Sequence, residues 1–154
     1  MATVTSDLSA VVQDLGLDKQ NQATLGRIML HGGLGHAKEE ADGRMRATVR
    51  IPVDELRWEP SITVMPHAGD LELELVNDDE NTHCALVPSN GDRQFIWLPV
   101  HSRGRAFINL DGPGYYWFTS PIGNDEGRGL IGAIVVMGDV SDDARLDRPD
   151  QPRP

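Results

Sequence analysis

The sequence of 154 residues has a single cysteine, no cluster of basic residues and no long apolar run. One cysteine cannot form an internal disulfide, so the fold has to rest on a buried core, which a chain of this length can supply as a single domain. Fourteen Lys and Arg residues stand against 24 Asp and Glu, a formal net charge of −10. A surface of that sign repels a phosphate backbone, which excludes nucleic acid as an expected partner. No stretch approaches the roughly twenty apolar residues of a membrane-spanning helix, so no membrane association is expected. The N-terminus shows no basic region followed by an apolar run and a small-residue cleavage site, and as written the chain reads as cytoplasmic. A glycine-framed nucleophilic serine and a phosphate-binding loop are also missing, which leaves hydrolase and nucleotide chemistry without support.

What the chain does contain is a change of period. Leu8, Val11, Val12 and Leu15 recur at helical spacing after Ser6 and Asp7, with Gly16 as a stop signal. A second helix is expected after Asp18, with Leu25, Ile28 and Met29 on one face and an end at Gly32-Gly33. Short amphipathic helices must bury their apolar faces, and either the open end of a β-sandwich or a neighbouring subunit would serve. From Met45 the period becomes two: Met45, Ala47, Val49 and Ile51 alternate with polar residues, as do Leu71, Leu73 and Leu75 with Glu72 and Glu74. Further strands are expected at 84–87, 95–98, 106–110, 115–118 and 130–137, between Gly, Pro, Asn and Asp turns. Short strands without intervening helices indicate an antiparallel β-sandwich. The chain thus divides into an N-terminal helical extension (1–44), a β domain (45–139) and an acidic, Pro-rich tail (140–154) too polar to order alone.

Two segments carry a family resemblance. Gly112-Pro113-Gly114-Tyr115-Tyr116-Trp117-Phe118-Thr119-Ser120-Pro121 leads through Gly123 and Gly127 to Gly129-Leu130-Ile131-Gly132-Ala133-Ile134-Val135-Val136. Upstream, Pro60-Ser61-Ile62-Thr63-Val64 precedes the turn Gly69-Asp70, an alternating strand ending in Asn77, and His83. Together they resemble the cupredoxins, over about half of the chain. The resemblance implies an all-β, cupredoxin-like antiparallel Greek-key β-sandwich with a short N-terminal helical extension, and it places copper first among cofactors. It also sits uneasily with a cytoplasmic chain, since many cupredoxins work outside the cytoplasm. In the form found in multicopper oxidases, two histidines follow the aromatic strand. Here Thr119 and Pro121 stand in their place, and 119–129 contains no Cys, His or Met. Carried over residue by residue, only His83 remains as a ligand, so the usual type 1 copper centre, which needs two imidazoles and a thiolate, is not expected.

Other groups could complete an atypical site. His83 is a retained ligand or a hydrogen-bonded loop histidine, and Cys84, facing the other way on a strand, reads first as a small buried core residue. Asp125 and Glu126 would lie at the same end of a cupredoxin frame as His83, and His101, in the loop after Pro99, and His67, in the turn before Gly69, are further imidazoles. The plainer reading of His67 is a solvated turn residue. The glycine-rich stretch His31 to His36 could cradle an anion or place two ligands, although His31 more simply ends a helix, where an imidazole suits the carbonyl end of the dipole. Asp78-Asp79-Glu80 lacks the spacing of a calcium loop and reads as a solvated acidic turn. Of Tyr115, Tyr116, Trp117 and Phe118, alternation buries one pair and turns the other outward, where with Trp97 and Val100 it would form an exposed patch.

Two function classes follow from the sequence. One is a cupredoxin-like metal-binding protein, copper first, with an atypical redox or electron-transfer site built from His83, His101, His67, Asp125 and Glu126. The other is a metal-free cupredoxin-like domain, an oligomerisation module or small subunit of a larger oxidoreductase. An enzyme working alone is the least supported class. A homo-oligomer or partner protein is expected, with Leu8 to Met29 in the contact.

Overall fold

Leu71, Leu73 and Leu75 are buried and Glu72 and Glu74 point away from them, as a half-buried strand requires. In the computed structural model, which describes residues 11, 13, 15–90 and 92–138, this strand lies in a four-stranded sheet packed against a six-stranded one. The elements in order are α1 (Lys19–Gly32), β1 (Leu34–His36), β2 (Lys38–Glu39), β3 (Met45–Ile51), β4 (Ile62–Met65), β5 (Gly69–Asn77), β6 (His83–Ser89), β7 (Asp92–Leu98), β8 (Arg103–Leu110), β9 (Gly114–Thr119), a 3-10 turn (Glu126–Arg128) and β10 (Ile131–Val136). The larger sheet runs β1-β4-β10-β9-β6-β7 and the smaller β2-β3-β5-β8. The β-sandwich expected from the alternation is present, with mixed sheets. The chain leaves the small sheet after β3, adds β4 to the large one and returns as β5, so β3 and β5 lie side by side in the same direction. β4 pairs in parallel with both β1 and β10 in the same way.

The residues before Met45 form more than helix, because β1 extends one sheet and β2 the other. The glycines of the His31 to His36 stretch allow this close approach. A Cβ on Gly32 would lie 1.8 Å from the Trp58 carbonyl oxygen, and one on Gly35 would meet the Pro60 ring at 2.9 Å. That stretch therefore ends a helix and starts a strand, and it forms no anion cradle. α1 itself begins as its sequence directs, with the Asp18 carboxylate accepting from the Asn21 amide at 2.8 Å, and ends where the Gly33 amide donates to the Met29 carbonyl.

The inner face of the large sheet is covered, and so is the part of its outer face formed by β4, β10 and β9. Its inner face, with Phe118, Ile134, Val136 and Val87, meets Leu71, Leu73, Leu75, Val49 and Ile51 of the small sheet around Trp58. On its outer face, Leu25 and Ile28 of α1, with Val11, Leu15 and Leu17, pack on Ile62, Val64, Ala133, Val135 and Tyr115. The aromatic run of β9 is thereby divided between two cores: Tyr116 and Phe118 turn inward, while Tyr115 and Trp117 lie beneath the helical layer. The outward pair is thus roofed by the chain's own N-terminal segment and forms no exposed patch with Trp97. The Tyr115 hydroxyl donates to Asn21 Oδ1, tying α1 to the sheet. Residues 140–154, Leu8 and Val12 lie outside the described set.

The two layers of β9 depend on the absence of a side chain at Gly132. A Cβ there would stand 2.4 Å from Phe118 Cζ, and this ring fills the core 5.3 Å from that of Trp58. Gly132→Ala is expected to lower stability by about 1–3 kcal/mol through overpacking. Thermal melts should show Gly132→Ala/Phe118→Leu recovering part of that loss, since the smaller side chain vacates the contested space.

Candidate functional site

The end of the sandwich that holds His83 is organised by Asn77, the last residue of β5. Its buried amide donates from Nδ2 to the carbonyls of Asn81, Leu98 and Pro99, and its Oδ1 accepts from the Asp79 amide at 2.9 Å. This Asx-type turn carries Asp79 back under the loop, where the residue is only 2% exposed. Asp79 then meets His83, four positions on: His83 Nε2 and Asp79 Oδ2 are 2.7 Å apart. On the opposite side of the ring, His83 Nδ1 lies 2.7 Å from Asp125 Oδ2, in the loop joining β9 to β10. The Ser120 hydroxyl accepts from the Cys84 amide and donates to the same Asp125 oxygen at 2.8 Å.

Each carboxylate has further donors beside the ring. Asp125 Oδ2 lies within hydrogen-bond distance of both Ser120 and His83, and Asp79 of His83, the Asp54 amide at 3.0 Å and Asn81. Burial alone would raise the Asp79 carboxyl, but the hydrogen bonds from His83, from the Asp54 and Glu80 amides and from Asn81 outweigh it and hold the group at about 2. A carboxylate oxygen faces each ring nitrogen, so both nitrogens of His83 are engaged and the ring is clamped between Asp79 and Asp125.

The expected site residues separate accordingly. His83 and Asp125 are brought together as the frame implied, in direct contact. Glu126 opens the 3-10 turn beside Asp125. His101 lies in the turn after β7 at the same end, exposed, with φ of 54°. His67 lies at the opposite end, separated by the nine residues of β5, roughly 30 Å of strand. It is exposed, contacts Glu39 Oε2 at 2.9 Å, and is held above the ordinary imidazole value by the Ala68 carbonyl and then by Glu39. His31 and His36 are exposed as well. The acidic turn 78–80 is not a solvated run, because Asp79 is buried within it. Asp79, Asn77 and Ser120 are the members of this cluster that sequence reasoning missed. The signal for Asp79 was its two-residue offset from Asn77 and four-residue offset from His83.

A copper ion of the type 1 class does not fit these residues. Both nitrogens of His83 are committed to carboxylates, and Thr119 and Ser120 present only hydroxyls where the second strand ends. Cys84, buried and 3.8 Å from Ser120 Oγ, has its thiol pushed up by burial, which disfavours the thiolate a copper site needs. Among the described residues, no group of three or more His, Cys, Asp and Glu side chains could hold a metal ion.

Removing the His83 ring would leave two carboxylates facing each other across the space it fills. His83→Ala is therefore expected to cost about 3–5 kcal/mol, a fall in melting temperature of roughly 10 °C for a domain of this size. The Asp79 carboxyl has a lower pKa folded than unfolded, so its contribution, roughly 2 kcal/mol, is complete above pH 4 and is lost as pH falls towards 2. Chemical denaturation at a series of pH values should show wild type and Asp79→Asn differing most near neutrality and converging in acid. A gap of constant size across that range would rule this out.

Comparison with known proteins agrees with this architecture. The family model described as PQQ-associated matches residues 3–154. No curated protein matches the chain. Among solved structures, reduced auracyanin from Roseiflexus castenholzii is similar at 11% identity and a TM-score of 0.55, covering 60% of this chain and 97% of its own. Auracyanin A, a blue copper protein from Chloroflexus aurantiacus, is similar at 9% identity and a TM-score of 0.53, covering 61% and 99%. The metal-binding domain of the Cu(I)-exporting P-type ATPase CopA from Streptococcus pneumoniae D39 reaches a TM-score of 0.55 at 12% identity, covering 68% and 96%. At these identities the likeness is one of fold, and with the match along nearly its whole length the chain belongs to the PQQ-associated family, built on a cupredoxin-like β-sandwich.

Proposed function

We propose that this protein is a cupredoxin-type domain working without a copper centre, as a small accessory subunit of a PQQ-dependent oxidoreductase. The observation that carries this reading is the His83 clamp. The position that the cupredoxin frame reserves for a copper-ligating imidazole holds a histidine ring whose two nitrogens are already engaged by Asp79 and Asp125, each at 2.7 Å. Freeing either nitrogen for a metal means breaking a short, buried contact with a carboxylate, which leaves a buried polar group without its partner. The PQQ-associated family match supports the choice of larger enzyme. The copper-first reading of an electron-transfer site rests on the likeness of fold, and the side chains at the site do not favour it.

Elemental analysis of the purified protein should find copper well below one equivalent. Copper titration should give no intense visible band, since that band needs a copper–thiolate bond, and His83→Ala should bind copper no more weakly than wild type. Stoichiometric copper that disappears in His83→Ala would overturn the metal-free reading. Nitrogen-15 NMR at neutral pH should show both ring nitrogens of His83 protonated. For the subunit role, native mass spectrometry of the chain mixed with the PQQ-dependent dehydrogenase of the same organism should show a stoichiometric complex. Its absence at tens of micromolar would reject that role.

A further inference from the structure

The helical layer roofs only part of the large sheet. α1 and the residues before it cover β4, β10 and β9, whereas the outer face of β6 and β7 lies beyond them. There Leu86 is half-buried, and Phe95 and Trp97 are each 53% exposed with their rings stacked 5.9 Å apart. β7 is also the last strand of its sheet, so this apolar strip ends at an open edge. Its ladder with β6 runs without interruption from Ser89↔Asp92 to His83↔Leu98, and so contains no bulge. The strand also lacks proline. Such an edge lacks most of the devices that keep edge strands from pairing. The neighbouring edge, β8 of the small sheet, is treated differently. It carries Arg103 and Arg105, and its Phe107 carbonyl accepts from the Gln94 side chain at 2.7 Å.

We propose that β7 pairs antiparallel with β7 of a second copy about a two-fold axis through Phe95, joining the two large sheets into one. The sequence of the strand is self-complementary in that register. Phe95 is the middle of the seven residues Asp92–Leu98, so all seven enter the ladder and it stops before Pro99, which has no amide proton to give. Because opposed residues lie on the same face, Phe95 meets its own counterpart and Arg93 meets the second copy's Trp97, an aromatic pair flanked by two cation–π contacts. Charge also selects this edge. The chain carries −10 overall, but β7 holds one acid, Asp92, and one base, Arg93, so two copies approach where their mutual repulsion is least. The pairing makes an isologous dimer and does not rest on the state of His83.

Light scattering of the full chain at tens of micromolar should give twice the 16.9 kDa chain mass, and Trp97→Lys, which sets a like charge opposite Arg93 of the second copy and is shown to be folded by circular dichroism, should give a single chain mass. Directly opposed residues in an antiparallel pair have Cα atoms about 4.5–5.5 Å apart, within reach of a disulfide. Phe95→Cys should therefore cross-link to itself in air, whereas Val53→Cys, exposed elsewhere on the chain, should not. The buried Cys84 is no competitor. A monomeric wild type would overturn the proposal. So would a dimer that survives Trp97→Lys, a Phe95→Cys protein that does not cross-link, or a chain that associates through β7 only with a different protein.

Discussion

A buried histidine ring between two carboxylates holds together one end of this sandwich. Three separate pieces of chain converge there: the loop after β5 through Asp79, the first residue of β6 through His83, and the loop after β9 through Asp125. Each is polar and would otherwise prefer water. Their burial is tolerable because every charge faces an opposite one and the remaining lone pairs are met by Ser120, Asn81 and the Asp54 amide. A metal ion in a cupredoxin performs the same mechanical task, pulling a strand-end histidine and a loop together. Here His83 and two aspartates link the strand end to both loops.

The same logic explains the glycines of the last hairpin. They could be mistaken for traces of a metal site, yet two of them have a present steric reason. Gly132 leaves room for the Phe118 ring, and Gly129, with φ of 128°, passes a Cβ-width of 2.5 Å from the Leu56 carbonyl. Glycines that serve a ligand loop and glycines that serve packing look identical in sequence. Only the side chains at the loop itself, Thr119, Ser120 and Asp125, tell what that loop can do.

Much of the fold was legible because period-two alternation is a local signal. Met45 to Ile51, Leu71 to Leu75 and the hairpin from Tyr115 to Val136 were read as strands, and they are strands. What was not legible depended on contacts distant in sequence. β1 and β2 are too short to show a period, and β1 exists because Gly32 and Gly35 let the chain lie against Trp58 and Pro60. Tyr115 and Trp117 alternate as a strand with one wet face would, but α1 supplies that face with a second core. At the site, His83 and Asp125 were found through a family frame. Asp79 was missed because three adjacent acidic residues look solvated unless the Asn77 turn that buries the middle one is known.

The helical layer also bears on how the molecule could associate. The amphipathic faces of α1 were expected to seek either a sandwich end or another subunit, and they settle instead on the outer face of their own large sheet. That choice consumes the apolar surface most visible in the sequence and displaces the question to surface that is less visible. Roofing stops at β9: the apolar contacts of α1 and the described residues before it fall on β4, β10 and β9, and β6 and β7 lie further along the sheet. The stacked rings of Phe95 and Trp97 are what the helix fails to cover. The aromatic pair is left on an open edge of the same outer face that α1 covers, beyond the contacts of the helix, in a chain that is otherwise strongly acidic.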